Sequence, residues 1–340
     1  MSFFKFIKYS FSIYLIYSLY SKYKTITVII SGENNDKYLE NIKKMVYKPP
    51  LFLHSFFSQV IMSEIFYGNK DLERIKYDRE YINTPDNGLI SIDYHQKDLH
   101  DKPEKLIVIM HGLTGGSESS YIKDIIEGLE ECKHSRIACI NYRGVNNTEL
   151  KNHFTYHLGY TKDLEICLKH LAKKFPNEMM FIVGTSMGAN ITCKLITDEK
   201  ILSKDIELKN VVNNIKGFIS ISNPIDVVTL EKEGKGGILD MYLLKRWLKY
   251  VKKHEHVFRE HGLINMDYLF SGKLKYYRDF DNEFTCKYFN FINADDYYEK
   301  AQCKDDISKI KVTSLFINSL DDQLSPIKYY DLSICKYKAN

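Results

Sequence analysis

The seven cysteines, at 132, 139, 167, 193, 286, 303 and 335, contain no CxxC or CxxH spacing. That argues against a zinc framework, and their odd number and scatter argue against a disulfide scaffold. Reduced, mostly buried thiols are expected, as in a cytosol-facing protein. No basic stripe interleaved with aromatic platforms is present, and 48 Lys and Arg against 44 Asp and Glu leave a net charge of only +4. Nucleic acid is therefore not an expected partner. The sequence shows no internal repeat and no long disordered tract. Its enrichment in Lys, Asn, Ile and Tyr is the imprint expected of AT-rich coding DNA, so patches of these residues carry no functional weight by themselves.

The apolar, aromatic run at residues 11–20 falls short of the roughly 20 residues of a membrane-spanning helix. Lys5 and Lys8 precede it and Lys22 and Lys24 follow it, with no small-residue cleavage site. Two readings stay open: a membrane-surface anchor, or an apolar helix packed on the domain. The first makes the protein membrane-associated through this segment and otherwise cytoplasmic.

What is present is a regular alternation of strands and helices. Hydrophobic residues make up 44% of the 340, enough for one large α/β domain carrying an insertion. Residues 79–95 predict two strands joined by a turn at 85–88. KLIVIM (105–110) is a continuous apolar run, as expected of a strand buried on both faces of a parallel sheet. A helix is predicted from about 121 to 132, a strand over 136–141, a helix over 160–174 and a strand at MMFIVG. MGANITCKLIT predicts a helix, and IKGFISIS and KVTSLFINS predict two more strands. Such alternation means βαβ units and a mainly parallel sheet. Between about 223 and 309 it gives way to helical, aromatic-rich sequence, an insertion between two late strands.

Gly184-Thr185-Ser186-Met187-Gly188 is G-x-S-x-G. At average usage that pattern arises by chance about once in ten chains of this length. Its setting makes it specific: it follows a buried strand and opens a helix, as a nucleophile elbow requires. The strained turn holds the serine hydroxyl clear of the sheet, and the helix N-terminus supplies N–H groups for a developing oxyanion. His111-Gly112-Leu113-Thr114-Gly115-Gly116 ends an earlier strand, and loops beyond the carboxyl ends of parallel strands share one crevice. The backbone N–H groups of Leu113 and Met187 are thus candidates for an oxyanion hole. His111 lies too early for the Ser…Asp…His order of such folds and is expected to brace its loop. Asp321 and Asp322, just past the strand at 311–319, offer either an acid for an imidazole or a plain turn.

These residues bring a family into view. PPLFLHSFFSQ, TPDNGLISIDY, VIMHGLTGGSESSYI, NYRG, YHLGYTKDL, VGTSMGAN, ISNPIDV, RDFDNEFT…DDYYEKAQ and FINSLDDQLSP occur over residues 48–330 in one order. In this the chain resembles AB hydrolase family 4 of the α/β-hydrolase superfamily, the lipase and phospholipase-type serine hydrolases. The resemblance implies an α/β-hydrolase fold over 48–340, with the 223–309 insertion as a helical cap and 1–47 as an N-terminal segment. It implies hydrolysis of carboxylic esters, acylglycerol or phospholipid acyl chains among them, with no metal and no cofactor. Ser186 takes the nucleophile's place and Asp322, four residues before Pro326, the acid's; Gly112, Gly184 and Gly188 support the two turns. The implied partners are a lipid or small-molecule ester and a membrane surface.

One departure stands out. The family's histidine follows the acid beyond one further strand, yet the 18 residues after Asp322 (340 − 322) hold none. The last strand and helix are expected to be missing with it. Three readings are open: a truncated product of a hydrolase gene, a shortened relative that binds without catalysis, or substitution by another histidine, with His153 and His157 nearest the crevice. Two further stretches have alternative readings. HEHVFREH (254–261) is not HExxH and is expected to be a solvated helix face rather than a metal cluster. YLLKRWLKYVKKH (242–254) puts Leu244, Trp247, Leu248 and Val251 on one stripe, either against an anionic membrane or packed into the cap beneath a lysine-rich outer face.

Overall fold

The computed structural model describes Gln59 and residues 75–96, 102–319 and 322–326. The N-terminal segment 1–47, most of PPLFLHSFFSQ, Asp321 and residues 327–340 lie outside the described residues. The described strands form one sheet in the order β1-β2-β4-β3-β5-β6-β7. They are β1 Asp78–Asn83, β2 Leu89–His95, β3 Lys105–Met110, β4 Ser135–Asn141, β5 Met179–Thr185, β6 Gly217–Ile221 and β7 Ser314–Ile317. β2 runs antiparallel to β1 and β4, and every other pairing is parallel.

The apolar runs produce this arrangement because successive residues of a strand face opposite sides. Leu106, Val108 and Met110 of β3 join one core cluster, while Ile107 and Ile109 join another. Helix α1 (Ser120–Leu129) covers the second face with Ile122 and Ile126. Helices α2 (Lys162–Lys174) and α3 (Met187–Thr197) cover the first, through Leu164, Leu168 and Leu171 and through Ile191 and Leu195. A sheet buried on both faces needs no polar side to its central strands, which is why β3 reads as a continuous apolar run.

Register places the functional edge. Met110 pairs with Gly184, Thr185 with Ile221, and Ile221 with Ile317, so the carboxyl ends of β3, β5, β6 and β7 are level. Two short helices that the sequence reading did not resolve, α4 (Glu199–Leu202) and α5 (Ile206–Asn213), fill the connection from α3 to β6. Each begins on an aspartate whose carboxylate accepts a backbone N–H, Asp198 and Asp205.

Between β6 and β7 the chain is helical. It forms α6 (Val227–Gly234), α7 (Ile238–Lys253), α8 (Glu255–His261), α9 (Met266–Leu269), α10 (Tyr277–Phe280), a π-helical turn at Asp281–Thr285, α11 (Cys286–Phe289) and α12 (Ala294–Ala301). The stripe read from 242–254 packs inward. Leu244, Trp247, Tyr250 and Val251 are buried, and Trp247 stacks on Phe280 at 5.7 Å and tilts against Tyr156 at 5.2 Å. HEHVFREH is only in part a solvated face: His254 is buried with Nε2 2.7 Å from the Gly144 carbonyl, and Phe258 is buried too. No group of His, Cys, Asp and Glu suited to a metal ion occurs among the described residues.

Candidate active site

β5 ends where α3 begins, and one residue makes the turn. Ser186 has φ +50° and ψ −118°, a conformation costly for a residue with a side chain, about 1–3 kcal/mol. The backbone holds it there. The Ser186 N–H donates to the Ile221 carbonyl of β6 at 2.8 Å, and its carbonyl accepts from Ala189 at 3.0 Å and Asn190 at 3.2 Å. The flanking glycines permit the close approach: a Cβ on Gly188 would lie 2.3 Å from the Met110 oxygen, and one on Gly184 would lie 2.6 Å from the Ala189 Cα. The half-buried Ser186 hydroxyl has no hydrogen-bond partner among the described residues.

The loop after β3 lies against it. A Cβ on Gly112 would stand 3.3 Å from the Ser186 Cβ. The Gly112 N–H donates to the Tyr121 hydroxyl at 2.9 Å, while the next N–H, that of Leu113, has no partner among the described residues. The Met187 N–H, at the first turn of α3, is likewise unpartnered among them. The unpartnered Leu113 N–H thus follows the glycine that meets Ser186, and the unpartnered Met187 N–H opens an eleven-residue helix at its positive end.

His111 braces the loop. It is fully buried, with Nδ1 2.8 Å from the Gly112 carbonyl and Nε2 accepting the Tyr142 N–H at 3.4 Å. Burial pushes its pKa down to about 4, so the ring is neutral. Behind the loop, buried Asp93 takes both arms of the Arg79 guanidinium at 2.6 Å and the Asn141 amide at 2.8 Å. Asn141 in turn accepts the Ser117 N–H at 2.9 Å. A second buried cluster unites three of the quoted family stretches: Arg143 bonds both Asp163 and Asp86, at 2.6 Å in each case.

Asp322 lies five residues past β7 and is buried. Its Oδ1 accepts the N–H groups of Leu324 at 2.8 Å and Ser325 at 3.2 Å, and Oδ2 accepts the Ser325 hydroxyl at 2.6 Å. Since β6 separates β5 from β7, the two strands that end in Ser186 and the Asp322 loop are two strand spacings apart, about 10 Å. No described histidine bonds either residue. His157 sits in a cage of Tyr160, Phe289, Phe291 and Tyr297, where burial lowers its pKa to about 3. His153 stacks on His261 at 3.4 Å.

Several residues at this edge escaped the sequence reading. Thr114 also has positive φ, +50°, and its hydroxyl accepts from Arg246 Nε of α7 at 2.8 Å. Tyr121 holds Gly112, as described, and Tyr156 stacks on Tyr142 at 4.7 Å beneath α7. No local pattern marks Arg246, since its partner is 132 positions away.

The family described as serine aminopeptidase, S33, matches residues 101–206, from β3 through the Ser186 turn to the start of α5. The monoacylglycerol lipase of Saccharomyces cerevisiae is 27% identical over 324 residues, covering 89% of this chain and 68% of that protein. Phospholipase ABHD3 of Bos taurus is 28% identical over 323 residues, covering 92% and 75%. In sequence and in fold the chain is similar to the α/β-hydrolases. Both curated relatives carry the names of lipid ester hydrolases, a lipase and a phospholipase. Among solved structures, the Pyrococcus furiosus esterase Pf2001 aligns over 77% of each chain with 16% identity and a TM-score of 0.46. The sheet, with its single antiparallel β2 flanked by β1 and β4, carries the Ser186 turn at the end of β5, an interior strand between β3 and β6.

Proposed function

We propose that this α/β-hydrolase cleaves lipid carboxylic esters, acylglycerol or phospholipid acyl esters, through an acyl-enzyme on Ser186. The hydroxyl oxygen attacks the ester carbonyl carbon, and the N–H groups of Leu113 and Met187 hold the oxyanion. The alkoxide leaves with the proton taken from Ser186, and water then releases the acyl group as the carboxylic acid. Asp322 is the acid that orients the imidazole base. The observation that carries this reading is the strained Ser186, its hydroxyl unbonded among the described residues, at the start of a helix and against the Gly112 turn. The substrate class rests on the relatives named monoacylglycerol lipase and phospholipase ABHD3. A membrane surface is the place where such a lipid is met; no helix among the described residues is long and apolar enough to cross one.

A specific observation favours a second reading, a hydrolase-fold protein that binds acyl lipids without turning them over. No described histidine reaches Ser186, and both Asp322 oxygens are engaged by their own loop. Covalent labelling with a fluorophosphonate separates the two. The catalytic reading expects the label on the peptide holding Ser186 and its loss in Ser186→Ala. Labelling that survives Ser186→Ala sinks the assignment. An unlabelled wild type that still retains a fluorescent acylglycerol selects the binding protein.

A further inference from the structure

The cap presents one helix face that neither the core nor the catalytic reading uses. On α7, Ile238, Met241, Lys245, Lys249 and Lys252 recur at spacings of 3, 4, 4 and 3 residues, with Lys253 beside them. At 100° per residue these six fall within a sector of about 120°, opposite the buried Leu244, Trp247, Tyr250 and Val251. All six are exposed, Ile238 to 69% and Met241 to 48%. Of the other cap lysines, Lys287 pairs with Glu283, Lys300 with Asp296 and Lys304 with Asp226, whereas Lys232, Lys235, Lys273 and Lys275 have no ion-pair partner among the described residues but do not lie on this helix. On this face only Lys252 is paired, with Glu255; Lys245, Lys249 and Lys253 have no ion-pair partner among the described residues. The one carboxylate of the helix, Asp240, is turned away and accepts the Tyr277 and Gly236 N–H groups.

We propose that this face of α7 docks on an anionic lipid surface. Two apolar side chains at one end and uncompensated ammonium groups along the rest match the interfacial region of such a bilayer, where apolar tips enter the acyl boundary and cations meet the headgroup phosphates. An acidic protein would satisfy the lysines but leaves the exposed Ile238 and Met241 unexplained. Arg246, on the flank of the same helix beside this face, bonds Thr114 of the loop after β3, which ties the docked face to that loop. The proposal goes beyond the catalytic reading and does not rest on it.

The test is co-sedimentation of the full chain with phosphatidylcholine vesicles, with and without about one third phosphatidylglycerol. A lysine near such a surface contributes roughly a five-fold gain in partitioning. The ratio of anionic to neutral partitioning is therefore expected to fall on the order of 100-fold in Lys245→Gln/Lys249→Gln/Lys253→Gln. The control Lys200→Gln/Lys204→Gln/Lys209→Gln removes the same charge from α4, α5 and the turn between them and is expected to keep the ratio. Any contribution from residues 1–47 is common to all three proteins and cancels. An unchanged ratio in the first triple overturns the proposal, as does an equal loss in both triples or a wild type without anionic preference. Capture of the wild type by poly-glutamate with no vesicle preference would assign the face to an acidic protein instead.

Discussion

Replacing Gly188 by alanine adds one methyl group where there is no room for it. The added Cβ would sit 2.3 Å from the Met110 oxygen, 2.6 Å from the Met110 carbon and 2.7 Å from the His111 oxygen. Ordinary carbon–oxygen contact begins near 3.3 Å, so α3 and the end of β3 must part by about 1 Å. All the obstructing atoms are backbone, and no side chain can swing aside. Overpacking of this kind costs about 1–3 kcal/mol, and more where backbone must move. The same displacement separates Met187 from Leu113, the two residues whose N–H groups are proposed to hold the oxyanion. A 1 Å error in such a site lowers reactivity by about 100-fold. The expected result for Gly188→Ala is a lower thermal midpoint together with fluorophosphonate labelling slowed by about that factor. Gly128→Ala is the control, because nothing lies within 4 Å of its added Cβ in α1. Helix propensity makes that variant neutral or more stable by up to about 1 kcal/mol. A Gly188→Ala protein that melts and labels like the wild type would refute the close approach of α3 to β3.

Two further perturbations probe buried charge. Arg143→Met leaves Asp163 buried without its counter-ion and strips Asp86 of the same partner, and losing one member of a buried pair costs about 3–5 kcal/mol. Urea unfolding measures it, and a loss below 1 kcal/mol contradicts the pairing. Asp281, buried and accepting from Thr285 at 2.6 Å and Tyr298 at 2.7 Å, has its pKa pushed up to about 7 by burial. A raised carboxyl pKa means that the fold binds a proton the unfolded chain has released. The contribution of this one group is full below about pH 4 and falls by roughly 4 kcal/mol as pH rises to about 7. Asp281→Asn, neutral throughout, is therefore expected to gain on the wild type between pH 4 and pH 8. A stability difference constant across that range refutes the shift.

The central strands and the Ser186 turn were legible because their causes are local. A run such as KLIVIM can only be a doubly buried strand, and G-x-S-x-G between a strand and a helix names its own turn, since only glycine tolerates the 2.3 Å and 2.6 Å approaches at 188 and 184. Periodicity also separated the two faces of residues 242–254. It could not say which face met protein. That was decided by Tyr156, Tyr277 and Phe280, which come from other segments and close over Trp247. The same distance in sequence hid the grip of Arg246 on Thr114, the convergence of Asp86, Arg143 and Asp163, and the role of Tyr121 beneath Gly112. His153 and His157 read as neighbours of the crevice, and packing took them elsewhere, into a stack with His261 and an aromatic cage. The sequence by itself determined which backbone is strained and which strands are buried, because steric clash and apolar patterning act between near neighbours. Only the tertiary structure decided which charges pair and which helix face stays open, because those depend on side chains brought together from a hundred or more residues apart.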